Sequence, residues 1–159
     1  MVSPVTVFLI RHGSAGIRDD ADPSDLRRPL DNVGEVQAQR LVSLLADTDI
    51  RRILSSPAPR CIETALPLAA TLGLPVEPHD ELVEGSHGDA AWELIEWAAH
   101  QEGDVVLCSH GDVIPDAVRR AQLRGMTVPG KAGCSKGSCW ALNWDGERFD
   151  TGSYTTGKL

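Results

Sequence analysis

Three short apolar, β-branched runs constrain this chain more than any other feature: Val5 to Ile10, Ile50 to Leu54, and Asp104 to Cys108. Each spans only five or six residues, too few for an ordinary helix, and reads as a buried strand. Between them the apolar residues recur near helical spacing. Gly34 to Leu45 carries Val36, Leu41, Leu44 and Leu45, and Arg60 to Leu72 stops at Gly73 ahead of Pro75. Ala90 to Ala99, with Trp92, Leu94, Ile95 and Trp97, and Val113 to Leu123 supply two more helices. Strands alternating with helices predict an α/β three-layer sandwich, a mostly parallel central sheet flanked by helices. Ser138 to Trp144 and Phe149 to Tyr154 flank the hairpin dipeptide Asp145-Gly146 and predict an antiparallel edge. Residues 14 to 31, rich in Asp, Arg, Pro and Ser without periodicity, read as a surface loop. At 159 residues the expectation is one domain over 1–159.

Composition removes several classes of function. A net charge of -8 and the absence of any Lys/Arg run argue against a nucleic-acid polymer as partner. Met1-Val2-Ser3-Pro4-Val5 opens without a basic segment and apolar stretch, and no run is long enough to span a bilayer, so a soluble, cytoplasmic protein without membrane contact is expected. Cys61, Cys108, Cys134 and Cys139 form no Cys-x-x-Cys pair. Cys134 and Cys139 lack a second ligand pair, so free thiols, no metal site and no cofactor are expected.

In open α/β sheets, ligands gather outside the carboxyl ends of the strands. Here Arg11-His12-Gly13, Ser55 to Arg60 and Ser109-His110-Gly111 each follow a predicted strand. Core packing does not explain two arginines and two histidines in such places, because unpaired cations resist burial. A phosphate explains them: guanidinium forks, imidazoles and glycine backbone N–H groups all bind its oxygens. Arg18, Arg27 and Arg28 are further cations in the long loop, with Asp19, Asp20, Asp22 and Asp25 as ordinary surface partners. His87, shortly after Glu84-Gly85-Ser86, is a candidate for the pocket mouth, while His79 and His100 read as surface residues.

Taken in order, Arg11-His12-Gly13, Ser55-Ser56-Pro57-Ala58-Pro59-Arg60 leading into Glu63-Thr64-Ala65, Leu82-Val83-Glu84, and Ser109-His110-Gly111 resemble the histidine phosphatase superfamily, the phosphoglycerate mutase-like family. The short length and Arg11-His12-Gly13-Ser14-Ala15 are similar to its compact branch, which includes the SixA phosphohistidine phosphatases. Arg-His-Gly-Ser-Ala-Gly at 11 to 16, Arg28-Pro29-Leu30-Asp31, Val113-Ile114-Pro115-Asp116 and Lys136-Gly137-Ser138 resemble the C-terminal phosphatase domain of mycobacterial MutT-type Nudix fusions. No Nudix segment lies within these 159 residues, and the nucleotide-processing role of that fusion is not carried over.

The resemblance implies a phosphohistidine intermediate on His12, with Arg11, Arg60, His110 and Gly111 at the phosphoryl oxygens and Glu84 as general acid and base. Glu81 and Asp80 remain alternatives for that acid. Ser14, Arg18 and His87 are candidate substrate contacts. His12 needs one ring N–H fixed to a carbonyl, such as that of Gly13, to act as a neutral nucleophile. Positive charge from Arg11, Arg60 and a protonated His110 makes a metal unnecessary. The expected substrate is a phosphomonoester of a small molecule or nucleotide, with a phosphohistidine protein as the alternative.

Three other readings are weaker. Gly125 to Ala132 nearly fits a nucleotide P-loop but ends without the Ser/Thr hydroxyl and follows a helix. A non-catalytic phosphate-binding module has no need of both His12 and Glu84. A phosphotransferase of the mutase type has longer segments around its pocket than the two dozen or so residues between Arg60 and Glu84.

Overall fold

The computed structural model describes residues 4–19, 21, 22, 25 and 27–159. Within them the strands are β1 (Val5–Arg11), β2 (Ile50–Ser55), β3 (Val76–Pro78), β4 (Asp104–Ser109), β5 (Cys139–Trp144) and β6 (Phe149–Thr155). The helices are α1 (Asn32–Leu44), α2 (Pro59–Leu72), α3 (Gly88–Ala99) and α4 (Val113–Leu123), with a 3-10 turn at Asp80–Leu82.

One sheet takes the order β3-β2-β4-β1-β5-β6. β3, β2, β4 and β1 run parallel, and the β5–β6 hairpin adds two antiparallel strands beside β1. Alternation along β1 gives the layers. Val5, Val7 and Leu9 face α3 and α4, where they pack with Trp92, Ile95, Ile114 and Ala117. Phe8 and Ile10 face α1 and α2, among Leu41, Leu45, Ala65 and Leu68. Each fully buried aliphatic side chain contributes about 1.5–3 kcal/mol, so β1, buried on both faces, anchors both layers.

The expected elements form within a residue or two of their predicted ends. β3 is the exception. Three residues offer no alternation to read, and Pro78 suits only an edge strand, the position it takes beside β2. The 3-10 turn is likewise beyond the reach of periodicity, being shorter than one helical repeat.

Register then brings the chemistry together. Leu9 lies between Leu107 and Trp140, and Arg11 sits opposite Ser109. Arg11-His12 and Ser109-His110 therefore leave the sheet side by side. Residues 1–3, and Asp20 of the long loop, lie outside the described residues. Asp25 contradicts the surface role expected of it, being only 3% exposed.

Candidate active site

The loop after β1 is fastened from both helices on its side of the sheet. The Gly13 N–H donates to Thr64 Oγ1 at 2.9 Å, and that hydroxyl donates to the Arg60 carbonyl at 2.6 Å. Ser14 donates its N–H to Gln37 Oε1 at 2.8 Å and its hydroxyl to Asp31 Oδ2 at 2.6 Å. Asp31 also caps α1 through Gly34 N–H. Gly34 permits the close approach, since a Cβ there would lie 2.1 Å from the Ser14 carbonyl oxygen. Ser14, a candidate substrate contact by sequence, instead has its hydroxyl committed to this fastening.

His12 is 4% exposed, and its N–H donates to the Ser109 carbonyl at 3.1 Å. Ring Nδ1 lies 2.8 Å from the Gly13 carbonyl, which can only accept, so Nδ1 carries the hydrogen and Nε2 the lone pair. Burial drives the imidazole from 6.5 down to about 3, assisted by the fields of His110, Arg60 and Arg11 and opposed by the Gly13 carbonyl. The His12 ring is thus neutral across the physiological range.

The same shift sets a pH dependence of stability. Between about 6.5 and about 3 the unfolded chain holds a proton on His12 that the folded chain does not. Stability therefore falls as pH drops through that window. Urea denaturation at pH 7, 5.5 and 4 should show a smaller loss for His12→Asn than for wild type. Parallel losses in the two proteins would contradict the buried neutral ring.

Arg60, at the start of α2, is 1% exposed. One terminal nitrogen donates to the Asp25 carbonyl at 2.6 Å. The other lies 3.3 Å from His110 Nδ1, 3.2 Å from Asp25 Oδ2 and 3.7 Å from Glu84 Oε2. A guanidinium only donates, so His110 Nδ1 accepts and Nε2–H donates to Ser56 Oγ at 2.9 Å. Arg60 and Ser56 thus occupy the two ring nitrogens of His110. The two imidazoles stand edge to face, 5.4 Å between centroids. Arg11 donates to the Cys134 carbonyl at 2.6 Å and lies against Gly111, where a Cβ would come within 2.8 Å of Cζ. The Nε atoms of Arg11 and Arg60 are buried without a partner.

Sequence reasoning missed Asp25, Ser56, Thr64 and Cys61 as site residues. Asp25 accepts two bonds from Arg28, at 2.7 and 3.1 Å, and pairs with Arg18 and Arg60. The Arg28 hydrogen bond, with the fields of Arg60, Arg28 and Arg18, holds its carboxyl below the usual range despite burial. Asp25 is therefore an anion seated on Arg60. Ser56 stands just past the end of β2, and that strand-end position is the signal by which it could have been found. The Cys61 sulfur lies 3.6 Å from His110 Nε2. Burial raises that thiol, yet hydrogen bonds with Cys108 and His110 and the charge nearby outweigh it and leave it below its ordinary value. All four cysteines are free.

Of the three candidate acids, Glu84 is the one beside Arg60. Glu81 pairs with His79 at 3.6 Å, and Asp80 is exposed on the 3-10 turn. Both Glu84 oxygens accept from Arg18 at 3.0 Å. Arg18 is thus a rim residue bound to Glu84 and Asp25 as well as a candidate substrate contact. His87 does not join the site. Its ring is 76% exposed and caps α3 by accepting from Asp89 N–H at 3.3 Å.

The sequence profile of the Histidine phosphatase superfamily (branch 1) matches residues 7–99. An 8-oxo-(d)GTP phosphatase of Mycolicibacterium smegmatis is 34% identical over 151 residues, covering 92% of this chain and 47% of the relative. The chain thus spans about half the length of that relative. Among solved structures, the protein histidine phosphatase SixA complexed with tungstate aligns with a TM-score of 0.72 at 23% identity, covering 95% of this chain and 94% of that one. A mycobacterial glucosyl-3-phosphoglycerate phosphatase aligns at 0.67 and 18% identity, covering 96% of both chains. These two likenesses concern the fold, whose strand-end loops gather the site described above. From the profile match across more than half its length, the chain belongs to the histidine phosphatase superfamily.

Proposed function

We propose that this chain is a metal-independent phosphatase that hydrolyses phosphomonoesters of small molecules or nucleotides through a phosphohistidine on His12. The observation that carries the reading is the buried, neutral His12 ring, its Nε2 lone pair unprotonated, among Arg11, Arg60 and His110. The Nε2 lone pair forms the N–P bond while the ester oxygen departs with its bonding electrons and takes a proton from Glu84. Water then gives its proton to Glu84, attacks phosphorus and breaks the N–P bond, and orthophosphate leaves. Arg60 exchanges the Asp25 carboxylate for phosphoryl oxygens, with Arg11 and His110 as the other donors. Those three donors supply the stabilisation that a metal gives in other phosphatases.

Chain 1–159 acts as one domain, in keeping with the single sheet shared by both apolar layers. A cytoplasmic location agrees with the four free thiols. Among the described residues, no helix is long and apolar enough to cross a membrane. The second reading, a phosphohistidine protein as substrate, draws support from the half-exposed Arg18–Glu84 rim, which a protein surface could reach.

One variant separates the two. An alkoxide leaving group needs a proton, so Glu84→Gln should slow hydrolysis of an alkyl phosphate by about two to four powers of ten. Phosphohistidine has a labile P–N bond whose imidazole leaves protonated, so the same variant should cost less there, where Glu84 serves only to activate water. Steady-state assays on both substrates check this. An unchanged rate on the alkyl phosphate would remove Glu84 from the mechanism, and wild-type activity confined to phosphohistidine would favour the second reading.

A further inference from the structure

The chain has only three lysines, Lys131, Lys136 and Lys158, against 23 acidic residues, and the fold brings two of them to one cavity. Lys131 and Lys158 line a cavity of about 690 Å³ together with Cys134, Ser135, Tyr154 and Thr156. The backbone beside it is fastened by Gln37, whose Nε2 donates to both the Lys136 and Gly157 carbonyls, each at 3.0 Å. Arg40 adds a further cation nearby, donating to the Thr156 carbonyl at 2.7 Å.

Among the described residues every ion pair uses an arginine or a histidine, and none of the lysines has an acidic partner. The segments that wall the cavity, 128–144 and 151–159, contain no Asp or Glu. Asp112 is the acid whose field reaches Cys134, and its carboxylate already accepts from the Gly85 and Val113 N–H groups. In a chain of net charge -8, gathering unpaired like charges around a cavity costs free energy that a bound anion would recover. Hydroxyls stand ready beside them. Ser135 Oγ lies 3.0 Å from Tyr154 Oη and 3.1 Å from Thr156 Oγ1. The volume suits a group the size of a sugar phosphate.

The cavity shares a wall with the active site. Cys134, in its lining, accepts from Arg11 through its carbonyl at 2.6 Å. Three residues on, the Gly137 N–H bonds to the Arg11 and His12 carbonyls at 3.1 and 3.0 Å. The 134–137 segment therefore has Arg11 and His12 against one side and the cationic cavity on the other. Lys131 also belongs to the near P-loop segment, but that segment follows α4 and leads into β5, so the lysine acts from a cavity wall.

We propose that this cavity binds a second phosphate of the substrate, making the preferred class small molecules that carry two or more phosphates. The inference rests on the phosphatase reading above, and the test has an arm that does not. Calorimetry on His12→Ala should show inorganic tripolyphosphate binding about tenfold more tightly than orthophosphate, a gain on the scale of charge-assisted contacts. Adding Lys131→Ala and Lys158→Ala should abolish that preference while leaving orthophosphate affinity within about twofold. In the otherwise wild-type enzyme, the two lysine substitutions should raise KM for fructose 1,6-bisphosphate about tenfold, with kcat and the p-nitrophenyl phosphate reaction little changed.

No tripolyphosphate preference, or one that survives loss of the lysines, would overturn the proposal. So would a lysine effect confined to a phosphohistidine protein, which would make the patch a protein-docking surface. If wild type turns over no phosphomonoester, the phosphatase reading fails, and the binding arm still decides the cavity. Both lysines are exposed, so melting temperatures should stay unchanged across the variants.

Discussion

His12→Ala leaves a folded protein with turnover reduced by about five or six powers of ten, the scale seen when a covalent nucleophile is removed. No other group can take over. Cys61 is fully buried behind His110, and Nε2 of His110 is occupied by Ser56. The fold should tolerate the change, because the ring makes one side-chain hydrogen bond, to Gly13, and the loop keeps its bonds to Thr64, Gln37 and Asp31. Circular dichroism and melting establish folding, and assays on an aryl phosphate give the rate. Residual turnover above about one part in a thousand in the folded variant would contradict His12 as the acceptor.

Arg60→Ala should lower kcat/KM by about two to three powers of ten, the loss expected for one donor aimed at developing oxyanion charge. It should also lower stability. Arg60 lies between a buried carboxylate and a buried imidazole, and removing one partner of such a pair costs about 3–5 kcal/mol. Asp25 keeps Arg28 and Arg18, so the lower part of that range applies. Arg60→Lys should rescue little, since a point charge cannot reach the Asp25 carbonyl, the Asp25 carboxylate and His110 at once. Chemical denaturation alongside kinetics checks both effects. Activity within tenfold of wild type would remove Arg60 from the phosphoryl clamp.

Much of this site is legible in the amino-acid sequence because its parts stand at strand ends. A run such as Val5 to Ile10 marks a strand by its branching and apolarity, and Arg11-His12 follows where the strand must stop. Parallel pairing of β1 with β4 then sets His12 beside His110 without further information. The single-tautomer expectation for His12 is likewise chemical, and Gly13 provides the carbonyl. What stays hidden in the sequence depends on three-dimensional closure. Asp25 sits in an aperiodic, charge-rich stretch, and local sequence cannot show that such a loop folds inward onto Arg60. The Arg60–His110 contact has the same cause. Ser14 and His87 depart from their expected roles because short polar side chains near a motif serve caps and loop fastenings as readily as ligands.

A phosphoryl group caught on His12 during turnover would be the plainest evidence for the covalent route. The enzyme is quenched rapidly, without acid, while it turns over a ³²P-labelled phosphomonoester, then digested under basic conditions and mapped by peptide. The expected result is one acid-labile, base-stable phosphoryl group per chain, located on His12 and absent from His12→Ala. Turnover with no label on His12, or label found on another residue, would contradict it.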